Sequence, residues 1–276
     1  MDTIAIQNDI ARQLGVNPAL KSDTDLQTEI ARRIDFIKTT AREAGVRSLV
    51  LGISGGVDSL TAGLLCQAAA RQLREEGDEI RFIAMRLPYG SQRDEEDAQR
   101  CLQVISPDQI QLTNILEGVR GLMDNIDAGR LHSQETGDFV RGNVKARMRM
   151  TAQYAVANFT NGLVVGTDHA AEAVMGFFTK HGDGACDLAP LSGLTKGQVR
   201  RMALLLGAPA ELAYKVPTAD LEDLVPGKPD EAAYGCTYEE IDRFLLGEPV
   251  SEATARLILA QYRKTAHKRA LPCTPS

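Results

Sequence analysis

The sequence predicts an α/β fold in which a mostly parallel β-sheet is covered by helices on both faces, a three-layer, Rossmann-like arrangement. Two observations lead to this prediction. Short apolar segments, typical of buried parallel strands, alternate along much of the chain with segments of helical periodicity. In addition, a glycine-rich motif and a polar motif directly follow two of these apolar segments. Ligands bind at the carboxyl ends of parallel strands, so these motifs mark a candidate site.

The elements can be assigned in chain order. Residues 1–46 are predicted to be helical, and one helix face carries an apolar stripe with Phe36 close to it, formed by Leu26, Ile30, Ile34 and Ile37. The elements that follow are a strand at 48–53, a helix at 60–73, a strand at 81–87, a helix at 94–105, a strand at 110–115, a helix at 140–159 and a strand at 162–166. The last strand leads into His169-Ala-Ala-Glu172.

No repeat, low-complexity tract or linker divides the chain. We therefore expect a single domain over residues 1–276, with the helices of residues 1–46 packing on the α/β core or on a dimer partner. Gly182-Asp-Gly184 and residues 217–229 are predicted to be loops within this domain.

Composition narrows the class of protein. Apolar residues make up 43% and charged residues 25% of the chain, and no apolar run approaches the ~20 residues of a membrane span. The net charge of −6 argues against a general nucleic-acid binder. No secretory signal is visible, and the five cysteines form neither a CxxC pair nor a zinc-like cluster. These features predict a cytoplasmic protein with reduced thiols that binds neither membrane nor nucleic acid.

The segment Gly52-Ile-Ser-Gly-Gly-Val-Asp-Ser59, called the phosphate loop below, joins the first strand to a helix. Its glycines let backbone N–H groups approach an anion, and the helix N-terminus adds partial positive charge. The lysine of the G-x-x-x-x-G-K-[ST] motif is absent, which argues against γ-phosphate transfer and favours cleavage of ATP between its α- and β-phosphates. An aspartate beside a polyphosphate needs a cation between them, so Asp58 is a candidate magnesium ligand. The alternative is an ordinary turn with Asp58 solvated.

Ser54-Gly-Gly-Val-Asp-Ser59 resembles the pyrophosphate loop of the N-type ATP pyrophosphatases, which adenylate a carboxylate or carbonyl oxygen and then displace AMP with a nitrogen or sulfur nucleophile. The segments that narrow this resemblance are Phe82-Ile-Ala-Met-Arg-Leu-Pro-Tyr-Gly90, Asp138-Phe-Val-Arg-Gly-Asn143 with Lys145-Ala-Arg147, Val165-Gly-Thr-Asp-His-Ala-Ala-Glu172, Gly176-Phe-Phe-Thr-Lys180, Gly182-Asp-Gly184, Pro217-Thr-Ala-Asp-Leu-Glu222 and His267-Lys-Arg269. Together they resemble the ammonia-dependent NAD synthetases from about residue 25 to residue 269.

The resemblance implies a role for individual residues. Those implied to bind ATP are Gly52, Ile53, Ser54, Gly55, Gly56, Val57, Asp58, Ser59, Arg86, Gln92, Thr167, Lys196 and Thr218. Asp58 and Glu172 would hold Mg²⁺. Those implied to contact deamido-NAD are Arg147, Lys180, Asp187, His267 and Lys268. The expected catalytic residues are Asp58, Lys196, Thr218 and Asp187.

The reaction that the resemblance implies has two steps. The nicotinate carboxylate of deamido-NAD attacks the α-phosphorus of ATP, and ammonia then displaces AMP to give NAD. The resemblance also implies a homodimer whose interface forms much of the dinucleotide site. Free ammonia is expected because the chain contains no glutamine-hydrolysing domain, the alternative being a separate amidotransferase partner. The chain ends in Ala270-Leu-Pro-Cys-Thr-Pro-Ser276, which departs from the aromatic and acidic ending common in the family.

Several of these residues also have a purely structural interpretation. Glu172 could be a solvated acid on the surface, and the segment 267–269 could be a flexible basic tail. Lys196 could begin a helix that Thr195 caps, which is compatible with a role in ATP binding. His169 is more readily explained as a structural residue than as a general base.

Two other functions compete with the NAD synthetase. A tRNA-thiolating member of the pyrophosphatase family would need paired cysteines, which this chain lacks, and a basic face, which is at odds with the net charge of −6. A non-catalytic nucleotide sensor would be expected to lack Asp58, Glu172 or Lys196, and all three are present.

Overall fold

The computed structural model describes residues 3–90, 95–126, 133–218, 223–225 and 227–275. Within them, a parallel sheet contains β1 (Ser48–Gly52), β2 (Arg81–Arg86), β3 (Gln109–Leu112) and β4 (Gly162–Val164). The strand order is β3-β2-β1-β4, so β1, which leads into the phosphate loop, is an inner strand. After β4, Val165 forms a parallel bridge with Leu188.

The helices of the described residues fall before, between and after these strands. In chain order they are α1 (Thr3–Gln13), α2 (Asp23–Glu43), α3 (Val57–Glu75), α4 (Glu95–Ile105), α5 (Leu116–Met123), α6 (Gln134–Thr160), α7 (Ala170–Met175), α8 (Lys196–Leu205), α9 (Ala210–Ala213), α10 (Asp230–Tyr234), α11 (Tyr238–Leu245), α12 (Glu252–Lys264) and α13 (Ala266–Arg269).

Helices α2, α3 and α8 cover one face of the sheet. Alternate strand residues such as Leu49 and Phe82 point into this layer, as the two-residue period of a strand requires. The predicted apolar stripe of α2 is buried here, since Leu26, Ile30, Ile34 and Ile37 all belong to this core. Phe36 is 42% exposed and lies outside the stripe, because neighbouring helix positions point about 100° apart.

Helices α5 and α6 cover the opposite face. Val50 and Ile83 pack there against Val119 of α5 and Val144 of α6. They directly follow Leu49 and Phe82, which point to the other face. The sheet therefore lies between two helical layers. The predicted three-layer α/β fold with a parallel sheet is confirmed.

A separate cluster of helices packs beside this sandwich. It contains α1, α7, α11 and α12, whose apolar side chains include Ile10, Val174, Phe244 and Ile258. Helix α11 also packs on α8. This helical cluster carries α7 and supports α8, so it supplies one wall of the site described below.

Several element boundaries differ from those predicted. The helix predicted at 140–159 begins earlier, at Gln134, because Ser133 caps it by accepting a hydrogen bond from the Thr136 N–H. The strands predicted at 110–115 and 162–166 are shorter. The expectation of a single domain stays a prediction. No helix among the described residues is long and apolar enough to span a membrane.

Candidate active site

The phosphate loop leaves β1 and ends at the N-terminus of α3. Gly55 has a φ of +88°, and a side chain there would lie 2.9 Å from the Ala98 backbone nitrogen, so the turn requires glycine. Ser54 and Ser59 tie the loop together through their hydroxyl groups, which lie 3.1 Å apart. Gly56 is the N-cap of α3 and offers no side-chain cap. The first N–H groups of this long helix are therefore available to an anion.

Asp58, in the first turn of α3, forms an ion pair with Lys196, the first residue of α8. Lys196 Nζ lies 2.9 Å from Asp58 Oδ1 and 2.7 Å from Oδ2. Lys196 is only 1% exposed, whereas the side chain of Asp58 is 20% exposed toward the cavity. The ion pair thus connects the phosphate loop, which contains Asp58, to a residue 138 positions later in the sequence.

His169 and Glu172 complete the cluster. His169 Nε2 lies 3.4 Å from Asp58 Oδ1 and 3.6 Å from Glu172 Oε1. Asp58, His169 and Glu172 each offer one potential metal-ligand atom, and these three atoms lie within 4.8 Å of one another. The alternative interpretation of Glu172 as a solvated acid on the surface is therefore wrong. His169 is buried, and burial lowers its pKa, so the ring is held in its neutral form.

The buried carboxyl groups of the site shift one another's pKa values. Burial raises the pKa of Asp58, but Lys196 and His169 outweigh this effect and hold the pKa well below its ordinary value. Burial and the charge of Asp58 raise the pKa of Glu172 well above its ordinary value. Burial, with the charges of Asp183 and Asp58, raises the pKa of Asp168 to about 8. The added positive charge of a divalent cation would favour ionisation of these carboxyl groups, so the donor set fits Mg²⁺.

A cavity of about 420 Å³ opens beside this cluster. Of the residues predicted to bind ATP, those that line it are Gly52, Ile53, Ser54, Gly56, Val57, Asp58, Ser59, Arg86, Thr167, Lys196 and Thr218. Gly55 is part of the loop but not of the cavity wall. Gln92 lies outside the described residues. Arg86 is buried at the end of β2, where it donates hydrogen bonds to the Ile53 carbonyl and, at 2.6 Å, to Glu95.

Four of the residues predicted to contact deamido-NAD form a connected group at one side of the cavity. Lys268 lines the cavity and donates to the carbonyls of Gly176 and Phe178 at 2.8 and 2.7 Å. Lys180 Nζ donates to the His267 carbonyl at 2.7 Å, and Arg147 donates to the Lys180 carbonyl at 3.2 Å. The segment 267–269 belongs to α13 and is docked in this way, so the flexible-tail interpretation is wrong.

Asp187 lies apart from the cavity wall. Its carboxylate accepts a hydrogen bond from the Val164 N–H at 2.7 Å and one from the Tyr154 hydroxyl at 3.3 Å. The side chain is exposed. Asp187 therefore connects the end of β4 to α6 and presents the rest of its carboxylate to the surface.

Sequence reasoning missed several residues of the site. The cavity is also lined by Gln153, Lys215, Lys228 and Asp230. Gln153 Oε1 accepts the Gly52 N–H at 2.7 Å and so fixes the start of the phosphate loop. Asp242, on α11, accepts hydrogen bonds from the backbone of Lys196 and Gly197. No local pattern in the sequence marks these residues, because each acts across elements that are distant along the chain.

The prediction that Lys196 begins a helix capped by Thr195 is confirmed. The role of Lys196 in ATP binding stays a prediction. Thr195 is the N-cap of α8, and it forms a capping box with Gln198. Lys196 is thus both the first residue of a capped helix and the cation beside Asp58.

Similar proteins cover nearly the whole chain. NH(3)-dependent NAD(+) synthetases of Pseudomonas aeruginosa strain UCBPP-PA14 and Pseudomonas fluorescens strain Pf0-1 are 60% and 58% identical to it over 272 and 273 residues. Each alignment covers 98% of this chain and 99% of the relative.

Solved structures agree with this relationship. An NAD+ synthetase from Burkholderia pseudomallei has a TM-score of 0.84 and 49% identity, with 98% of both chains covered. An NMN synthetase from Francisella tularensis has a TM-score of 0.79 and 30% identity, with 91% of this chain and 98% of that chain covered. A family model described as NAD synthase matches residues 29–272. The resemblance stated from the sequence is confirmed, and the chain belongs to the NAD synthase family.

Proposed function

We propose that this chain is a ligase that amidates deamido-NAD with ammonia at the expense of ATP, giving NAD, AMP and pyrophosphate. The observation that carries the proposal is the cavity that contains the phosphate loop, the ion pair of Asp58 with Lys196, and Glu172. Such a site can hold the β- and γ-phosphates while the α-phosphorus is attacked. Its loop lacks the lysine of γ-phosphate transfer, which fits release of pyrophosphate.

The residues on the phosphate side have complementary roles in this proposal. The uncapped N–H groups at the start of α3 bind the pyrophosphate portion of ATP, and Lys196 stabilises the charge that develops on it. Thr167, Thr218 and Arg86 bind other parts of the nucleotide. Asp58 and Glu172 hold Mg²⁺, which when bound neutralises the phosphates of the departing pyrophosphate.

The dinucleotide is proposed to extend out of the cavity. A volume of about 420 Å³ is toward the lower end of the range for pockets that take one drug-sized ligand. Two nucleotides therefore need adjoining surface. Lys268 lines the cavity, and Lys180, Arg147 and His267 are connected beside it by hydrogen bonds. The cationic side chains of the two lysines and Arg147 suit the phosphates of a dinucleotide, and Asp187 is proposed to contact the substrate at the surface.

Free ammonia is the proposed nitrogen source. The relatives described as NH(3)-dependent match this chain over 99% of their own length, so the similarity includes nearly their entire sequence. A cytoplasmic location, where ATP and ammonium are available, stays a prediction.

The homodimer is also a proposal. Large apolar side chains are exposed on α5 and α6, among them Leu122, Phe139, Val140 and Phe159. Phe159 is 91% exposed. Contact with a second copy would remove apolar surface of this kind from water. Light scattering coupled to size-exclusion chromatography should give twice the chain mass of 29.9 kDa.

One assay tests the proposed reaction. The enzyme is incubated with ATP, Mg²⁺, ammonium chloride and deamido-NAD, and the products are separated by liquid chromatography. NAD, AMP and pyrophosphate should form in equal amounts. Stoichiometric ADP would contradict the cleavage position, and no NAD would contradict the function.

Two comparison reactions define the substrates. Replacing deamido-NAD with nicotinic acid mononucleotide tests a mononucleotide substrate, since one structural neighbour is described as an NMN synthetase. Replacing ammonium with glutamine tests the nitrogen source. We expect deamido-NAD with ammonium to give the highest kcat/KM, and a higher value for the mononucleotide would reassign the substrate.

A further inference from the structure

Helix α11 contacts both the backbone and the ammonium group of Lys196. Asp242 accepts a hydrogen bond from the Lys196 backbone N–H at 2.9 Å and one from the Gly197 N–H at 2.6 Å. One turn earlier on the same helix, the ring of Tyr238 lies 4.7 Å from the Lys196 ammonium. Neither residue belongs to the phosphate loop or to the residues predicted to bind substrate.

Asp242 and Thr195 together satisfy the first N–H groups of α8. Asp242 takes those of Lys196 and Gly197, and the Thr195 hydroxyl accepts that of Gln198 at 3.3 Å. A side chain at Gly197 would lie 3.1 Å from Asp242 Oδ2, so glycine is what allows the close approach. Burial raises the pKa of Asp242 to about 6 despite these hydrogen bonds, and the carboxylate is therefore ionised at neutral pH.

We propose that Asp242 is a positioning residue for catalysis, which fixes the backbone of Lys196 and thereby directs its ammonium to Asp58 and the phosphates. The inference rests on the proposed role of Lys196 at ATP. The Lys196 side chain has four rotatable bonds and is held at 1% exposure across the gap between α8 and α3. A shift of its backbone therefore moves the ammonium away from the two carboxylate oxygens. Displacements of about 1 Å at a reacting site can cost 100-fold in rate.

A double-mutant cycle tests this inference. The four proteins are the wild type, Asp242→Asn, Lys196→Met and the double variant, and calorimetry measures their ATP affinity in the presence of Mg²⁺. The amide of Asp242→Asn has one oxygen acceptor and places a donor against the second N–H. We expect ATP affinity to fall about tenfold in each single variant. The double variant should bind ATP no more weakly than Lys196→Met, because coupled residues are not additive. Calorimetry gives this result even where turnover is lost.

Two further variants separate positioning from stability. Ser251→Ala removes a cap of α12, in the same helical cluster but away from Lys196, and should leave ATP affinity unchanged. Gly197→Ala keeps the charge of Asp242 but pushes its carboxylate by a few tenths of an ångström. It should weaken ATP binding about threefold in the wild-type background and not at all in Lys196→Met. If Asp242→Asn does not fold, Gly197→Ala tests the same coupling to Lys196 through its effect on ATP affinity.

Each outcome has a distinct meaning. If the folded Asp242→Asn variant binds ATP as the wild type does, the positioning role is wrong. Multiplicative losses in the double variant would also overturn it, since Asp242 would then act independently of Lys196. If Lys196→Met changes neither ATP affinity nor kcat/KM, the role of Lys196 is wrong and the inference loses its basis; if it changes kcat/KM alone, the same cycle is measured on kcat/KM, where multiplicative losses would overturn the inference. Failure of the wild type to bind ATP would instead contradict the proposed function itself.

Discussion

Asp58 and Glu172, the two proposed magnesium ligands, should affect stability in different ways. Asp58→Asn removes the partner of a lysine that is 1% exposed and lies within 2.9 Å of both carboxylate oxygens. Glu172→Gln removes a carboxyl group whose pKa is raised well above its ordinary value by burial and the charge of Asp58. Glutamine resembles the protonated form that this environment favours. The sequence gives no reason to expect a difference, whereas the structure does.

The magnitudes follow from the charges. Removing one partner of a buried ion pair costs about 3 to 5 kcal/mol, and the partial exposure of Asp58 favours the lower end, about 3 kcal/mol. For a protein of this size, the melting temperature should fall by about 5 °C. Glu172→Gln should unfold at or above the wild-type temperature. Because the folded pKa of Asp58 is lowered, its stabilising effect is present at neutral pH and is lost as the pH falls through that folded pKa.

Urea denaturation of metal-free, nucleotide-free protein at pH 7 measures both effects. Turnover with ATP and Mg²⁺ should fall sharply in both variants, so activity alone does not separate them. Raised Mg²⁺ should restore part of the turnover where the defect is in metal affinity. The reasoning is refuted if Asp58→Asn is as stable as the wild type, or if Glu172→Gln is the less stable of the two. Wild-type activity and magnesium dependence in both folded variants would refute the metal site.

Three other predictions concern the nucleophile, the loop and the C-terminal helix. At fixed total ammonium, the rate should rise from about pH 7 to pH 9, because only unprotonated ammonia can attack; a flat profile with stability and ATP binding unchanged would exclude free ammonia. Gly55→Ala should lower the free energy of unfolding by at least about 2 kcal/mol more than Gly77→Ala in urea denaturation, because both have positive φ but only Gly55 has backbone contacts; equal losses would contradict the steric reasoning. Lys268→Met removes the hydrogen bonds that dock α13 and should raise the KM for deamido-NAD about tenfold in steady-state kinetics. The exposed Lys264→Met is its control, and an equal KM in both would contradict the docking role.

The sheet and the phosphate loop could be predicted because their signals are local. An apolar run such as that of β1 and a glycine-rich turn after it are each specified within a few residues. The α2 stripe is likewise set by its own periodicity. Helix boundaries were less accurate, as for α6, where the cap of Ser133 extends the helix beyond its apolar segment.

The site was predicted only in those parts that a motif contains. Asp58 and Glu172 stand in recognisable segments, but their ion-pair and pKa relationships depend on α3, α7 and α8 meeting in space. Asp242 lies 46 residues beyond Lys196 and has no motif of its own. For Asp187 the resemblance implies a substrate contact, which stays a prediction, while no pattern in the sequence indicates the hydrogen bond that its carboxylate accepts from the Val164 N–H. Contacts between distant elements leave no pattern in the sequence of a single chain.

The charge of the site bears on which form of ATP it accepts. Asp58, Glu172 and Asp230 lie close enough to Lys196 to affect its pKa, and nearby carboxylates contribute to the raised pKa values of Glu172, Asp168 and Asp230. The phosphates of free ATP would oppose ionisation of these carboxyl groups further, which disfavours binding of the free nucleotide beside them. A nucleotide that arrives with its cation instead favours ionisation of the carboxyl groups, which can then act as ligands. The site should therefore bind the magnesium complex of ATP in strong preference to the free nucleotide. Calorimetry with and without EDTA measures this preference, and equal affinities would contradict it.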